Sequence, residues 1–316
     1  MFHKIKNPVL FQGNMLKKNY FEGWYYKLVS ADGLYSVTFI PGISLNNEHA
    51  HAFIQVFVSY NNSTLKTIYA EFDKSEFKSN DKPFAVDIQS NRFTEHDINV
   101  CIASNNLNIE GKIAFSNNTK IRTSWLSPSI MGFFGYFTFM ECYHGIVSMH
   151  HTLQGQLTID GKIIVFDGGK GYIEKDWGSS FPSKYVWMQS NHFANKQTSF
   201  MFSEAIIPFK IFFFNGLIIN LIIDGKEYRF ATYNGAKVTK KNIAEKNVHY
   251  EITRKNYKLV VEAVNDKTTS LPSPKNGVMN QSIKEGLSGV IKLQLYEKNK
   301  LIYDDIGTDA GLEIMW

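Results

Sequence analysis

The sequence predicts an all-β fold, and three observations carry that expectation. Turn dipeptides recur along the chain: Asp32-Gly33, Asp160-Gly161, Asp224-Gly225, Asn234-Gly235 and Asn276-Gly277. Between them lie short runs rich in Val, Ile, Phe, Tyr and Thr, residue types that fit a pleated, half-buried surface. Helical periodicity is nearly absent; its best short candidates are Asn242 to Lys246 and a turn near Ser129 to Met131. This is the pattern of a meandering antiparallel sheet or barrel.

Along the chain, Tyr20 to Lys27, Tyr35 to Ile40 and Phe53 to Tyr60 read as the early strands. Leu157 to Phe166 and Tyr257 to Val264 continue the series. Ala205 to Ile223 is the most apolar region, but Pro208, Lys210, Asn215, Gly216 and Asn220 interrupt it, which disfavours a spanning helix. Asn215-Gly216 reads instead as a hairpin turn between two buried strands. The run Gly178 to Ser183 is a natural connection, giving an N-terminal β domain over 1–178 and a C-terminal one over 179–316. Asn265 to Ser288, polar and holding Pro272, Pro274 and Gly277, is expected to form a long surface loop.

Composition narrows the function classes. A chain of 316 residues that is 44% hydrophobic suits two domains with real cores. The net charge of +5 is spread along the sequence, which argues against nucleic acid as a partner and is compatible with transient contact at an anionic membrane surface. Two cysteines, Cys101 and Cys142, are too few for a disulfide framework or a Cys-rich zinc site. No stretch near Met1 has the length of a signal peptide, so the cytoplasm is the expected compartment.

Three segments set polar groups among aromatics. In Tyr20 to Lys27, strand alternation places Glu22, Trp24 and Tyr26 on one face. A carboxylate beside Trp and Tyr suits a general acid, while the plainer reading pairs it with a lysine. In Met140 to His151, His144, Ser148 and His150 share one face and Glu141, Tyr143 and His151 the other; an inward imidazole can move protons at neutral pH. In the third, Glu174 and Asp176 fall together, with Trp177 beside them, and then Trp187, Gln189 and Asn191 fall together. Buried amides need partners or a ligand. His49-Ala50-His51, with Glu48 adjacent or His150 joining, is a weak two-histidine metal spacing, so no metal is assigned. Gly168-Gly169-Lys170-Gly171 lacks the spacing of a phosphate loop.

Read together, Tyr20 to Lys27, Tyr172 to Pro182 and Trp187 to Asn191 resemble the tocopherol cyclase family, in the right order and over most of the chain. The resemblance implies two lipocalin-like antiparallel β-barrel or bent-sheet domains, no cofactor, and an apolar prenylated small molecule as substrate. The implied activity is closure of a chroman ring from a prenylated hydroquinone. Plant members commonly carry Asn where this chain has Asp176, and Cys where it has Ser190.

Chroman formation needs an acid to protonate a trisubstituted alkene, a phenolic oxygen held against the resulting cation, and exclusion of water. Glu22 or Asp176, with Glu174 as substitute, are the candidate acids. Trp24, Tyr26, Trp177 and Trp187 are candidate pocket walls, the three tryptophans also cation-stabilising faces; Gln189 and Asn191 would orient the head group, and His144 or His150 would take the phenolic proton. The same residues serve two other readings: a carrier that binds an apolar ligand without turnover, and a hydratase or pericyclase acting on a polyene.

Overall fold

The computed structural model describes residues 2–61, 64–209, 212–265 and 267–316. Its strands are β1 (Tyr20–Val29), β2 (Tyr35–Leu45), β3 (His51–Tyr60), β4 (Thr64–Asp73), β5 (Phe77–Asp81), β6 (Phe84–Ile88), β7 (Asn91–Phe93), β8 (Asp97–Ala103), β9 (Asn108–Thr119), β10 (Cys142–Ile159), β11 (Lys162–Val165) and β12 (Lys170–Gly178). They continue as β13 (Tyr185–Ser190), β14 (His192–Phe193), β15 (Ser199–Phe209), β16 (Phe212–Ile223), β17 (Lys226–Ala231), β18 (Lys237–Ile243), β19 (Asn247–Arg254), β20 (Tyr257–Val264), β21 (Thr269–Lys275), β22 (Val278–Glu297) and β23 (Lys300–Met315). The all-β expectation holds.

Two sheets contain them. The first runs β4-β3-β2-β1-β12-β10-β9-β8-β7-β6-β5, and the second β17-β16-β15-β13-β23-β22-β20-β19-β18. The chain forms two compact units: Met1–Ser129 with Glu141–Phe181 and Pro272–Ser282, and Ile130–Met140 with Pro182–Leu271 and Ile283–Trp316. Each unit wraps one apolar cluster. In the first, Trp24, Tyr26, Phe39, Ile54, Phe93, Ile113 and Leu157 meet; in the second, Val186, Met188, Phe202, Leu221, Tyr250 and Leu293.

Turn chemistry explains the hairpins. Asp160-Gly161, Asp224-Gly225 and Asn276-Gly277 have positive φ at both residues, the geometry whose twist matches paired strands. Strand β1 is buried along nearly its whole length on both faces, so its sequence reads as a continuous apolar run with charges embedded in it.

Three local expectations are corrected, and the turn near Ser129 to Met131 is borne out. Pairing of β15 with β16 runs from Ser199↔Ile222 to Phe209↔Phe212, so Asn215-Gly216 lies inside β16 rather than at a turn; Lys210 lies outside the described residues. Both segments are extended, and among the described residues no helix is long and apolar enough to cross a membrane. Asn242 and Ile243 end β18, because the β-branched pattern and pairing to β19 override a weak helical period. Ser129 to Met131 just precedes a 3-10 turn over Gly132–Tyr136. Asn265 to Ser288 is largely strand: β21 pairs with β22 across the Asn276-Gly277 turn, and the Ser44 hydroxyl donates to the Gly277 carbonyl at 2.6 Å.

Gly277 has φ +75°, and a Cβ there would meet the Tyr20 backbone nitrogen at 2.3 Å. Gly277→Ala should therefore destabilise the fold by about 1–3 kcal/mol, read from the urea midpoint at unchanged m value.

Candidate functional site

The pairing of β1 with β12 sets the site. Glu22 stands opposite Trp177, Trp24 opposite Lys175, and Tyr25 opposite Glu174. Alternation then separates two sets of groups. Glu22, Trp24, Tyr26, Lys175 and Trp177 face the apolar cluster; Tyr25, Tyr172, Glu174 and Asp176 face the opposite side of the sheet. The two candidate acids, Glu22 and Asp176, are thus on different faces.

On the core side, Glu22 and Lys175 form an ion pair whose side chains are fully buried. The Glu22 carboxylate also accepts from the Gln12 N–H at 2.7 Å, the Gly13 N–H at 3.0 Å and the Tyr20 hydroxyl. The Lys175 ammonium donates to the carbonyls of Pro8 and Leu10, and lies 4.5 Å from the Trp24 ring centre and 5.1 Å from that of Trp177. Burial lowers the Lys175 pKa to about 8, against the opposing pull of Glu22. The segment from Pro8 to Gly13 therefore closes over the pair with its own backbone groups. Trp24 donates its indole N–H to Val9 O at 2.7 Å, Tyr26 its hydroxyl to Thr94 O at 3.1 Å, and Trp177 stacks on Tyr143 at 5.4 Å. The cation that lies on the faces of Trp24 and Trp177 is Lys175.

On the other face, β10 brings His144 opposite Asp176. His144 Nδ1 is 2.8 Å from Asp176 Oδ1, and Nε2 is 3.3 Å from Glu174 Oε2. Tyr172 donates its hydroxyl to Glu174 at 2.5 Å. Burial alone would lower the His144 pKa; the two carboxylates outweigh it and raise it to about 10. His144 is therefore an imidazolium clamped between two carboxylates at neutral pH. Asp176 is the most open member, with 26% of its side chain exposed against 13% for His144 and 4% for Glu174.

The expectation that His144, Ser148 and His150 share a face fails. Register slips between Ile146 and Ser148, and between Ser148 and His151, break the alternation of β10. Ser148 comes opposite Ile173, and His151 Nδ1 sits 3.0 Å from the Ser148 hydroxyl against Phe115. Burial pushes His151 down to about 3, and burial with Lys170 pushes His150 down to about 4, so both are neutral. His150 stands opposite Thr119, away from the carboxylates.

In the second unit, Trp187, Gln189 and Asn191 are buried; within β13, Trp187 and Gln189 take the face opposite Val186 and Met188, and Asn191 follows the end of the strand. Trp187 pairs across strands with Ser203 and Glu313, and Gln189 with Met201 and Gly311. Two clusters have metal-ligand donor types and spacing: His144, Glu174 and Asp176, and His49, His51 and Glu71. In the latter the third group is Glu71 of β4, 2.8 Å from His49, rather than Glu48 or His150; His51 Nε2 is bonded to Tyr69 at 2.6 Å.

Lys175, Tyr172 and Tyr25 were missed as site residues. Alternation through Glu174-Lys175-Asp176 was the available signal, since it must send the lysine away from the carboxylates.

A family described as tocopherol cyclase-like matches residues 99–315. A probable chloroplastic tocopherol cyclase of Oryza sativa subsp. japonica is 26% identical over 200 residues, 59% of this chain and 42% of that protein. The chain thus matches less than half the length of that relative. Among solved structures, a putative AttH from Nitrosomonas europaea has a TM-score of 0.55 at 11% identity, covering 97% of this chain and 99% of that one. Kievitone hydratase from Nectria haematococca has 0.53 at 10% identity, covering 97% and 93%. These structural likenesses establish the lipocalin-like fold.

Two outcomes test this geometry. Glu22→Gln or Lys175→Met alone should cost about 3–5 kcal/mol, by stranding a buried charge, and the double replacement should recover much of the loss, in a double-mutant cycle of urea melts. His144 has a folded pKa above its ordinary 6.5, so its stabilisation is complete below pH 6.5 and is lost as pH rises toward 10. Lys175, with a lowered pKa, acts oppositely above pH 8. The wild-type minus His144→Gln difference removes the lysine contribution and should shrink steadily from pH 6.5 to 10.

Proposed function

Since the chain belongs to the tocopherol cyclase-like family, we propose that it is an isomerase that closes a ring on a prenylated hydroquinone or related isoprenoid, moving protons through His144 and its two carboxylates. The observation that carries this reading is the buried imidazolium held between Glu174 and the partly open Asp176. A clamp of this kind holds a proton at a fixed place and offers it on one side only.

The overall change is an isomerisation. An alkene carbon gains a proton, the neighbouring tertiary cation is captured by the phenolic oxygen, and the phenolic proton leaves, so one proton enters and one departs. Asp176, where plant members commonly carry Asn, is the delivering group in this chain, because it is the most open and shares the proton on His144 Nδ1; the acid is thus a departure of this chain from the plant pattern. Glu174, locked by Tyr172, fixes the imidazole ring. The phenolic proton returns to the same cluster, which ends each cycle as it began. Tyr25 and Tyr172, whose rings meet edge to face at 6.5 Å, are the aromatic walls on this face. Glu22 is assigned a structural role, with every acceptor position taken.

The test is anaerobic incubation in deuterated buffer with a panel of prenylated hydroquinones, followed by mass spectrometry. A chromanol carrying one deuterium on carbon is expected. Asp176→Asn should lower its rate at least about 100-fold with substrate binding retained, while the folded fraction of Glu22→Gln turns over as wild type. Substrate bound but recovered unchanged would make the protein a carrier, and a product with water added would make it a hydratase.

A further inference from the structure

We propose that the paired ends of β15 and β16, with the aromatic turn packed against them, form a membrane-seating knob that inserts into the interface of an anionic lipid bilayer. The knob belongs to the second unit and is built from two stretches of chain. Phe209, Phe212, Phe213 and Phe214 lie at the paired ends of the hairpin, and Phe133, Phe134, Phe137 and Phe139 lie in and just after the 3-10 turn. Their rings interlock: Phe134 stacks on Phe214 at 5.4 Å, and Phe139 packs edge-on against Phe209 at 5.1 Å. Tyr233 anchors the second stretch by donating its hydroxyl to Ile130 O at 2.9 Å.

This cluster is held together but not covered. Phe212 is 53% exposed, Phe213 71%, Phe133 43% and Phe139 48%. Contiguous apolar area of this kind is rare on surfaces that meet only water. Its shape selects the occupant. Phe212 and Phe213 are successive strand residues, so their rings leave opposite faces of the hairpin, and both are bare. A protein partner laid on one face would leave the other in water. A fluid interface surrounds both rings and takes them up, as it does aromatic side chains at the headgroup boundary.

Charge points the same way. Ile130 to Met140 carries no charged residue, and Ala205 to Ile223 carries one, Lys210, with no acidic residue. The exposed Lys184 accepts the Ile206 N–H on its backbone carbonyl at 2.9 Å, placing a cation beside the hairpin. With a net charge of +5 on the chain, an anionic surface is attracted, and neither stretch of the knob carries an acidic residue that would repel it. The inference does not depend on the reaction assigned above.

The test is co-sedimentation of the full chain with vesicles of phosphatidylcholine containing one part in five phosphatidylserine. Wild type should partition to the lipid, more weakly at high salt, and Phe212→Ser with Phe213→Ser should reduce partitioning tenfold or more at unchanged circular dichroism. As an independent readout, Phe213→Trp should bind as wild type, and its added fluorescence should shift to the blue with vesicles and be quenched by brominated lipid. Wild type remaining in the supernatant at every lipid concentration overturns the proposal, as does undiminished binding by the double variant. A wild-type dimer that the serine substitutions disperse also overturns it, because the knob would then meet a second copy of the chain.

Discussion

The ion pair between Glu22 and Lys175 fixes how β1 and β12 lie against each other, and the face of every neighbouring group follows from it. Buried on the core side, the pair tolerates no slip of register: one residue of displacement would put Lys175 on the opposite face and drive Glu174 and Asp176 into the apolar cluster. Three consecutive residues, Glu174-Lys175-Asp176, thus divide their charges between a structural side and a chemical side. The imidazolium of His144 is held by the carboxylates that this division leaves on the second face. Stability and proton handling come from one strand, through opposite faces.

The fold was legible in the sequence because its turns are written in residues that tolerate positive φ, and its strands in residues that pack on a pleat. Where a local signal competed with long-range pairing, the pairing won. Asn215-Gly216 has turn chemistry, yet pairing of Ile206 with Asn215 and of Ala205 with Gly216 holds it in a strand. Two-residue alternation correctly grouped Glu22 with Trp24 and Tyr26, and Glu174 with Asp176. It failed on β10, because bulges change the parity of a strand without any mark in composition. Which group neutralises Glu22 was equally hidden, since Lys175 lies about 150 residues away along the chain.

The same chemistry recurs inside the second barrel. Glu204 accepts from Tyr250 at 2.8 Å and from Lys241 at 3.1 Å, and the Lys241 ammonium sits 3.8 Å from the Trp316 ring centre. A buried carboxylate and tyrosine, a half-buried lysine and an exposed tryptophan again form one group. Such clusters satisfy a charge inside an apolar barrel by combining ionic, hydrogen-bonding and ring contacts, where any one alone would leave it under-solvated. In a lipocalin-like fold, then, an acid among aromatics is first a packing solution. What distinguishes Asp176 is its opening to one side.

The order in which the ribosome delivers these parts has its own consequence. Strand β1 emerges early, but its partner β12 ends at Gly178, and the Pro272–Ser282 piece of the same unit comes about a hundred residues later still. Until then, one long edge of β1 offers unpaired backbone groups and Glu22 lacks its counter-charge. The nascent first barrel must therefore wait, open and vulnerable to wrong strand pairing, for most of the chain to be made.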